Sequence, residues 1–174
     1  MTQLLNRRNN LINKIPYLGV FTAGAIILSY IETIIPFYFG IPGVKLGLTN
    51  IMILIILYLT GTKDAFLVSI VRIILTGFLF TNFYSLLYSL AGGIVSLIVM
   101  SLLKRTNRFS IIGVSVAGGI FHNAAQILIA IFVVETASIA YYLPILIISG
   151  VVTGMLIGIL GKILVPRVRA VIVR

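Results

Sequence analysis

Hydrophobic positions along this chain fall into six long runs separated by short polar gaps. The runs cover 17–36, 44–60, 64–80, 84–103, 110–134 and 141–164. About 20 helical residues cross the hydrocarbon core of a bilayer, and each run is of that order. Strands that span a membrane alternate over segments of about ten residues, a pattern absent here, so helices are the expected spans. The gaps carry turn residues, as in Pro36 to Pro42-Gly43, Gly61-Thr62-Lys63-Asp64 and Thr81-Asn82. The pattern predicts an all-α integral membrane protein with six transmembrane helices in one compact bundle. A basic segment over 1–16 precedes the membrane domain at 17–164, and a basic tail follows at 165–174. The first run contains Glu32, ends at Pro36 and shows no cleavage site, so it is expected to be a retained helix rather than a signal peptide.

Charge orients this pattern. The chain has 13 Lys and Arg against 3 acidic residues. With the N-terminus inside, the cytoplasmic side collects Arg7, Arg8, Lys14, Lys63, Lys104, Arg105, Arg108, Lys162, Arg167, Arg169 and Arg174. Only Lys45 is left outside, and Arg72 falls within a span. The excess of cations on one side places both termini in the cytoplasm, in a multi-pass protein of the plasma membrane. The basic residues sit at the ends of apolar runs and form no stripe, which excludes a nucleic-acid surface. A charged fraction of 9% and a mean hydropathy of +1.22 exclude a soluble domain. The absence of cysteine excludes disulfides and Cys-based metal sites.

A charge inside a span is expensive and marks a functional candidate. Glu32 lies about 6 Å below the outer end of the first span, and Arg72 about 12 Å from the inner end of the third. Asn50 stands in the outer half of the second span, with Lys45 just above it. His122, Asn123 and Gln126 cluster on the fifth, where 122 and 126 share a helical face. Thr76 stands one turn outward of Arg72. Ser85, Ser89 and Ser96 line the fourth span beside Gly92 and Gly93. These groups lie between mid-membrane and the outer surface, which predicts an outward-facing polar pocket. Lys45, Arg72 and His122 would attract an anion, Asn50, Asn123 and Gln126 would hydrogen-bond it, and Glu32 would contact it or hold Arg72. Each also has a structural alternative. Glu32 and Arg72 could form a bridge, His122, Asn123 and Gln126 could join helices, and Lys45 could anchor the interface. Asp64 suits a helix N-terminus and Glu135 a solvated loop.

Other signals are negative or concern packing. No Walker A sequence is present, so ATP cannot energise transport through this chain alone. With one His and three scattered acids, neither metal binding nor acid–base catalysis is expected, and neither is a cofactor. Small residues recur at four-residue spacing at Gly150, Gly154 and Gly158, at Gly113 and Ala117, and at Gly19 and Ala23, which lets helices approach closely.

Several ordered stretches carry a resemblance. They are Leu28-Ser29-Tyr30-Ile31-Glu32-Thr33-Ile34-Ile35-Pro36, Pro42-Gly43-Val44-Lys45-Leu46-Gly47-Leu48-Thr49-Asn50, Leu90-Ala91-Gly92-Gly93 and Gly113-Val114-Ser115. They continue through His122-Asn123-Ala124-Ala125-Gln126 and from Tyr142-Leu143-Pro144 to Thr153-Gly154. Over 17–164 the chain resembles the family labelled heptaprenyl diphosphate synthase component I, also called the Gx transporter family. That family is similar to the substrate-binding S components of energy-coupling-factor (ECF) transporters. The resemblance implies a six-helix S-component-like fold and a small molecule captured from outside. It also implies docking through Gly19 and Ala23 onto a membrane coupling subunit with ATPases. Prenyl synthases elongate chains with Asp-rich motifs and Mg²⁺, and this chain has one Asp, so the synthase label does not imply an enzyme here. The primary expectation is thus a non-enzymatic ECF-type subunit binding a small anionic molecule. The alternatives are a membrane accessory subunit of heptaprenyl diphosphate or quinone synthesis, and a proton-coupled carrier using Glu32 and His122.

Overall fold

The computed structural model describes residues 2–34 and 47–172. They form six α-helices: α1 (Thr2–Ile34), α2 (Thr49–Leu59), α3 (Thr62–Phe80), α4 (Phe83–Arg105), α5 (Ile111–Val134) and α6 (Leu143–Ile172). A short 3-10 helix, Ala137–Tyr142, leads into α6, and no strand occurs among the described residues. Polar side chains cap the starts of α4 and α5. The Asn82 side chain accepts from the Ser85 N–H at 2.8 Å, and the Ser110 hydroxyl accepts from the Gly113 N–H at 3.2 Å. Asp64 lies in the first turn of α3, and exposed Glu135 closes α5 in the left-handed conformation, φ 54°.

Each predicted run overlaps one of these helices, with α1 reaching back to Thr2 and α6 on to Ile172, but they are not equivalent. Four stretches are long and apolar enough to cross a membrane: Ile15–Ile34, Phe83–Arg105, Ile111–Val134 and Ala137–Val171. The apolar surface of α3 is interrupted by Lys63, Asp64 and Arg72. The α2 helix has 11 residues, about 16 Å of rise, roughly half the apolar thickness of a bilayer. A helix that is hydrophobic all round is a buried helix, and α2 is one. Seven of its residues are buried, with Ile56 and Leu57 wholly inaccessible. It packs against α1, α3 and α6, and its core extends to Leu97 and Met100 of α4, Val114 of α5, and Ile157 and Val165 of α6. Large apolar side chains elsewhere point outward, as Phe78 and Phe132 do at 80% and 77% exposure. This inversion belongs in lipid, where outward apolar side chains carry no penalty.

The α5–α6 contact is the closest in the bundle. A Cβ built on Gly150 would lie 2.7 Å from the Gly119 carbonyl oxygen, and one on Gly154 would lie 2.7 Å from the Val116 Cα. One on Gly158 would lie 2.7 Å from the Ile112 Cα. The four-residue glycine spacing of α6 thus lets two backbones touch.

The C-terminal end of α2 is held by cations from two other helices. The Lys104 ammonium of α4 donates to the Leu57 carbonyl and stands 5.1 Å from the Tyr58 ring centre. Arg169 of α6 donates to the Tyr58 carbonyl at 3.2 Å. The last carbonyls of a helix have no intrahelical partner and carry its negative pole. Lys104→Met should therefore lower stability by about 1–2 kcal/mol, while Lys104→Arg should retain most of it. Thermal unfolding in one detergent tests this, and equal melting of Lys104→Met and wild type would show that the clasp is idle.

Candidate polar site between the helices

The first part of the site is assembled where α1, α2 and α3 meet. Ser29 and Glu32 are three residues apart and share a face of α1. The Ser29 and Thr49 hydroxyls hydrogen-bond at 2.8 Å. Glu32 accepts from the Gly47 backbone N–H, and the Gly47 carbonyl accepts from the Asn50 N–H at 2.8 Å. Gly47 has φ 69°, a left-handed conformation that costs glycine nothing. Its single residue thereby couples the carboxylate of α1 to the start of α2.

Arg72 of α3 reaches this junction. A terminal guanidinium nitrogen donates to Asn50 Oδ1 at 3.2 Å. Its Nε is buried and has no hydrogen-bond acceptor among the described residues. Among the described residues Glu32 and Arg72 make no ion pair: the Glu32 carboxylate accepts from Gly47, and the guanidinium donates to Asn50. Burying an uncompensated donor of a charged group is costly. An arginine fork with a donor to spare matches a carboxylate or phosphate. Thr76 does not add to this set, because its hydroxyl donates to the Arg72 carbonyl of its own helix at 2.8 Å.

The second part lies on α4, α5 and α6. His122 and Gln126 stand against Gly92: a Cβ built there would lie 2.9 Å from Gln126 Cγ and 2.9 Å from His122 Cε1. The neighbouring Gly93 faces α3, where its Cβ would lie 2.8 Å from Ile73 Cδ1. Ile73 follows Arg72 on α3, and α3 and α5 both pack on α4, so Arg72 lies at a depth close to that of His122 and Gln126. Asn123 turns elsewhere, and its amide donates to the Leu146 carbonyl of α6 at 2.7 Å. Asn123→Ala should thus act mainly on stability, by about 0.6–2 kcal/mol. A folded Asn123→Ala protein with wild-type melting and impaired ligand binding would contradict that assignment.

Lys45 lies outside the described residues. Gly19 and Ala23 are exposed on α1, and among the described residues nothing lies within 4 Å of a Cβ built on Gly19. Among the described residues no three His, Asp or Glu side chains gather as metal ligands. The sequence reading missed Gly47 and the pairing of Gly92 with His122 and Gln126. A glycine just before an apolar run was the available signal for the first. The second required the tertiary packing.

The sequence model of the family described as heptaprenyl diphosphate synthase component I matches residues 21–164. No curated protein and no solved structure matches the chain. The match spans all six helices in part or whole and includes every residue of the polar layer. By that match over most of its length, this helical membrane protein belongs to the heptaprenyl diphosphate synthase component I family.

Proposed function

We propose that this chain is the membrane-embedded, ligand-binding subunit of a multi-component system, and that its ligand carries a phosphate or diphosphate. One observation carries the reading: the buried Arg72 guanidinium is held by Asn50 on one side and has an unused Nε donor among the described residues. A guanidinium kept charged among apolar helices requires an anionic complement, and a diphosphate supplies one with several acceptors. The family name favours a prenyl diphosphate as this ligand and a second, catalytic component as the partner. In this account the chain binds and presents the prenyl diphosphate. Elongation belongs to the partner, because Glu32, Asp64 and Glu135 lie on different parts of the fold. All six helices then lie within the plasma membrane, both termini face the cytoplasm, and α2 is enclosed by the others.

A second reading is capture and inward transfer of a small anion by an ECF-type subunit. The exposed Gly19 and Ala23 face of α1 favours it, since small residues admit close approach by another membrane helix. Native mass spectrometry of the protein, gently purified from its own membranes, separates the two. A prenyl synthase subunit with bound polyprenyl diphosphate supports the first reading. A coupling protein with ATPases supports the second. A chain that carries neither, and binds no inorganic diphosphate when titrated, overturns both.

A further inference from the structure

We propose that Gly92 is the positioning residue of the polar layer: by leaving α4 without a side chain there, it seats His122 and Gln126 at the depth from which they face the anion. The inference rests on the reading that this layer holds an anionic ligand. Gly92 is buried, and the atoms its absent Cβ would meet belong to two residues one turn apart on α5. Built there, that carbon would stand 2.9 Å from Gln126 Cγ, 2.9 Å from His122 Cε1 and 3.0 Å from His122 Nδ1. Carbon atoms rest about 3.5–4.0 Å apart, so both side chains would have to move. Gln126 must turn about χ1 to clear its Cγ, and the imidazole must turn about χ1 or χ2, so each ends in a different orientation. Gly93 is the internal comparison. Its Cβ would meet the terminal methyl of Ile73 at 2.8 Å and Ser69 Oγ at 3.5 Å, groups outside the polar layer. Adjacent glycines with equal propensity costs therefore differ in what they position.

The chain has 1 histidine, so the imidazole gives one assignable nuclear magnetic resonance signal. Gly92→Ala should shift that signal and weaken binding of inorganic diphosphate by about tenfold or more, while Gly93→Ala should leave both near wild type. A folded Gly92→Ala protein with an unshifted imidazole and unchanged affinity overturns the proposal. If Gly92→Ala does not fold, the variant Gly92→Ala with Gln126→Ala removes the Cγ collision but keeps the one at His122. Its imidazole should still differ from that of Gln126→Ala alone, and coincidence of the two signals overturns the proposal. If wild type binds no diphosphate, the functional reading fails, while the imidazole shift still decides what Gly92 positions.

Discussion

Arg72→Ala is expected to yield a folded protein that binds inorganic diphosphate about 100-fold more weakly than wild type, or worse. Truncating one member of a desolvated charge pair costs about 2–5 kcal/mol in binding, and ~2.7 kcal/mol is a factor of about 100. The same substitution should not cost the fold a comparable amount. Among the described residues the guanidinium has one hydrogen bond, to Asn50, and a buried Nε without an acceptor. Removing such a charge from an apolar interior relieves its desolvation, which offsets the lost contact. Arg72→Met, which fills more of the vacated volume, should melt at or above the wild-type temperature and bind as poorly as Arg72→Ala. Glu32→Gln supplies the complementary measurement. It retains an oxygen for the Gly47 N–H while removing the negative charge of the carboxylate. A folded Arg72→Ala protein with wild-type affinity for diphosphate would remove the reason for placing the ligand here.

Gly154→Leu should be the most damaging substitution to the fold. The atom a Cβ would strike is the Val116 Cα at 2.7 Å, with the Ser115 carbonyl oxygen at 2.8 Å. Backbone cannot rotate away as a side chain can, so α5 and α6 would have to separate along their contact. Overpacking typically costs about 1–3 kcal/mol, and separating two backbones belongs at or above that range. At about 2–4 °C per kcal/mol for a chain of this size, melting should fall by about 10 °C, or no folded protein should accumulate. Gly19→Leu is the matched control, because among the described residues nothing lies within 4 Å of its Cβ. It should leave the isolated protein unchanged while weakening capture of any partner seated on α1. Similar melting of Gly154→Leu and wild type would show that the α5–α6 seam is looser than its geometry.

The sequence was most informative where composition and spacing carry direct physical meaning. Apolar runs located the helices, since burying backbone polar groups in lipid leaves few alternatives. The α6 glycines declared a close contact through their spacing. What they touch was not legible: the facing residues are Gly119, Ser115, Val116 and Ile112, and the small pair Gly113 and Ala117 is not what meets them. Uniform apolarity also hid the difference between α2, sheltered by its neighbours, and the lipid-facing helices, because both environments accept the same side chains. In the polar layer, depth along each helix was inferable from length. Partnership was not. Arg72 with Asn50, Glu32 with Gly47 and Asn123 with Leu146 each depend on how helices rotate about their axes, which a run of leucine and isoleucine leaves open.

The cations at the end of α2 carry a consequence for how the molecule tolerates change. Lys104 and Arg169 belong to the basic set that a charge count treats as interchangeable signposts for insertion. Yet each is spent on a particular carbonyl of one helix, one reaching it from α4 and the other from α6. Drift at that membrane face is therefore unequal. Arg105 or Arg108 can be traded for another cation nearby with the count preserved, whereas moving Lys104 by one position keeps the tally and undoes the fastening. Among natural or engineered variants, total charge on that face should be the quantity held constant. The addresses of these two residues should be the ones that do not move.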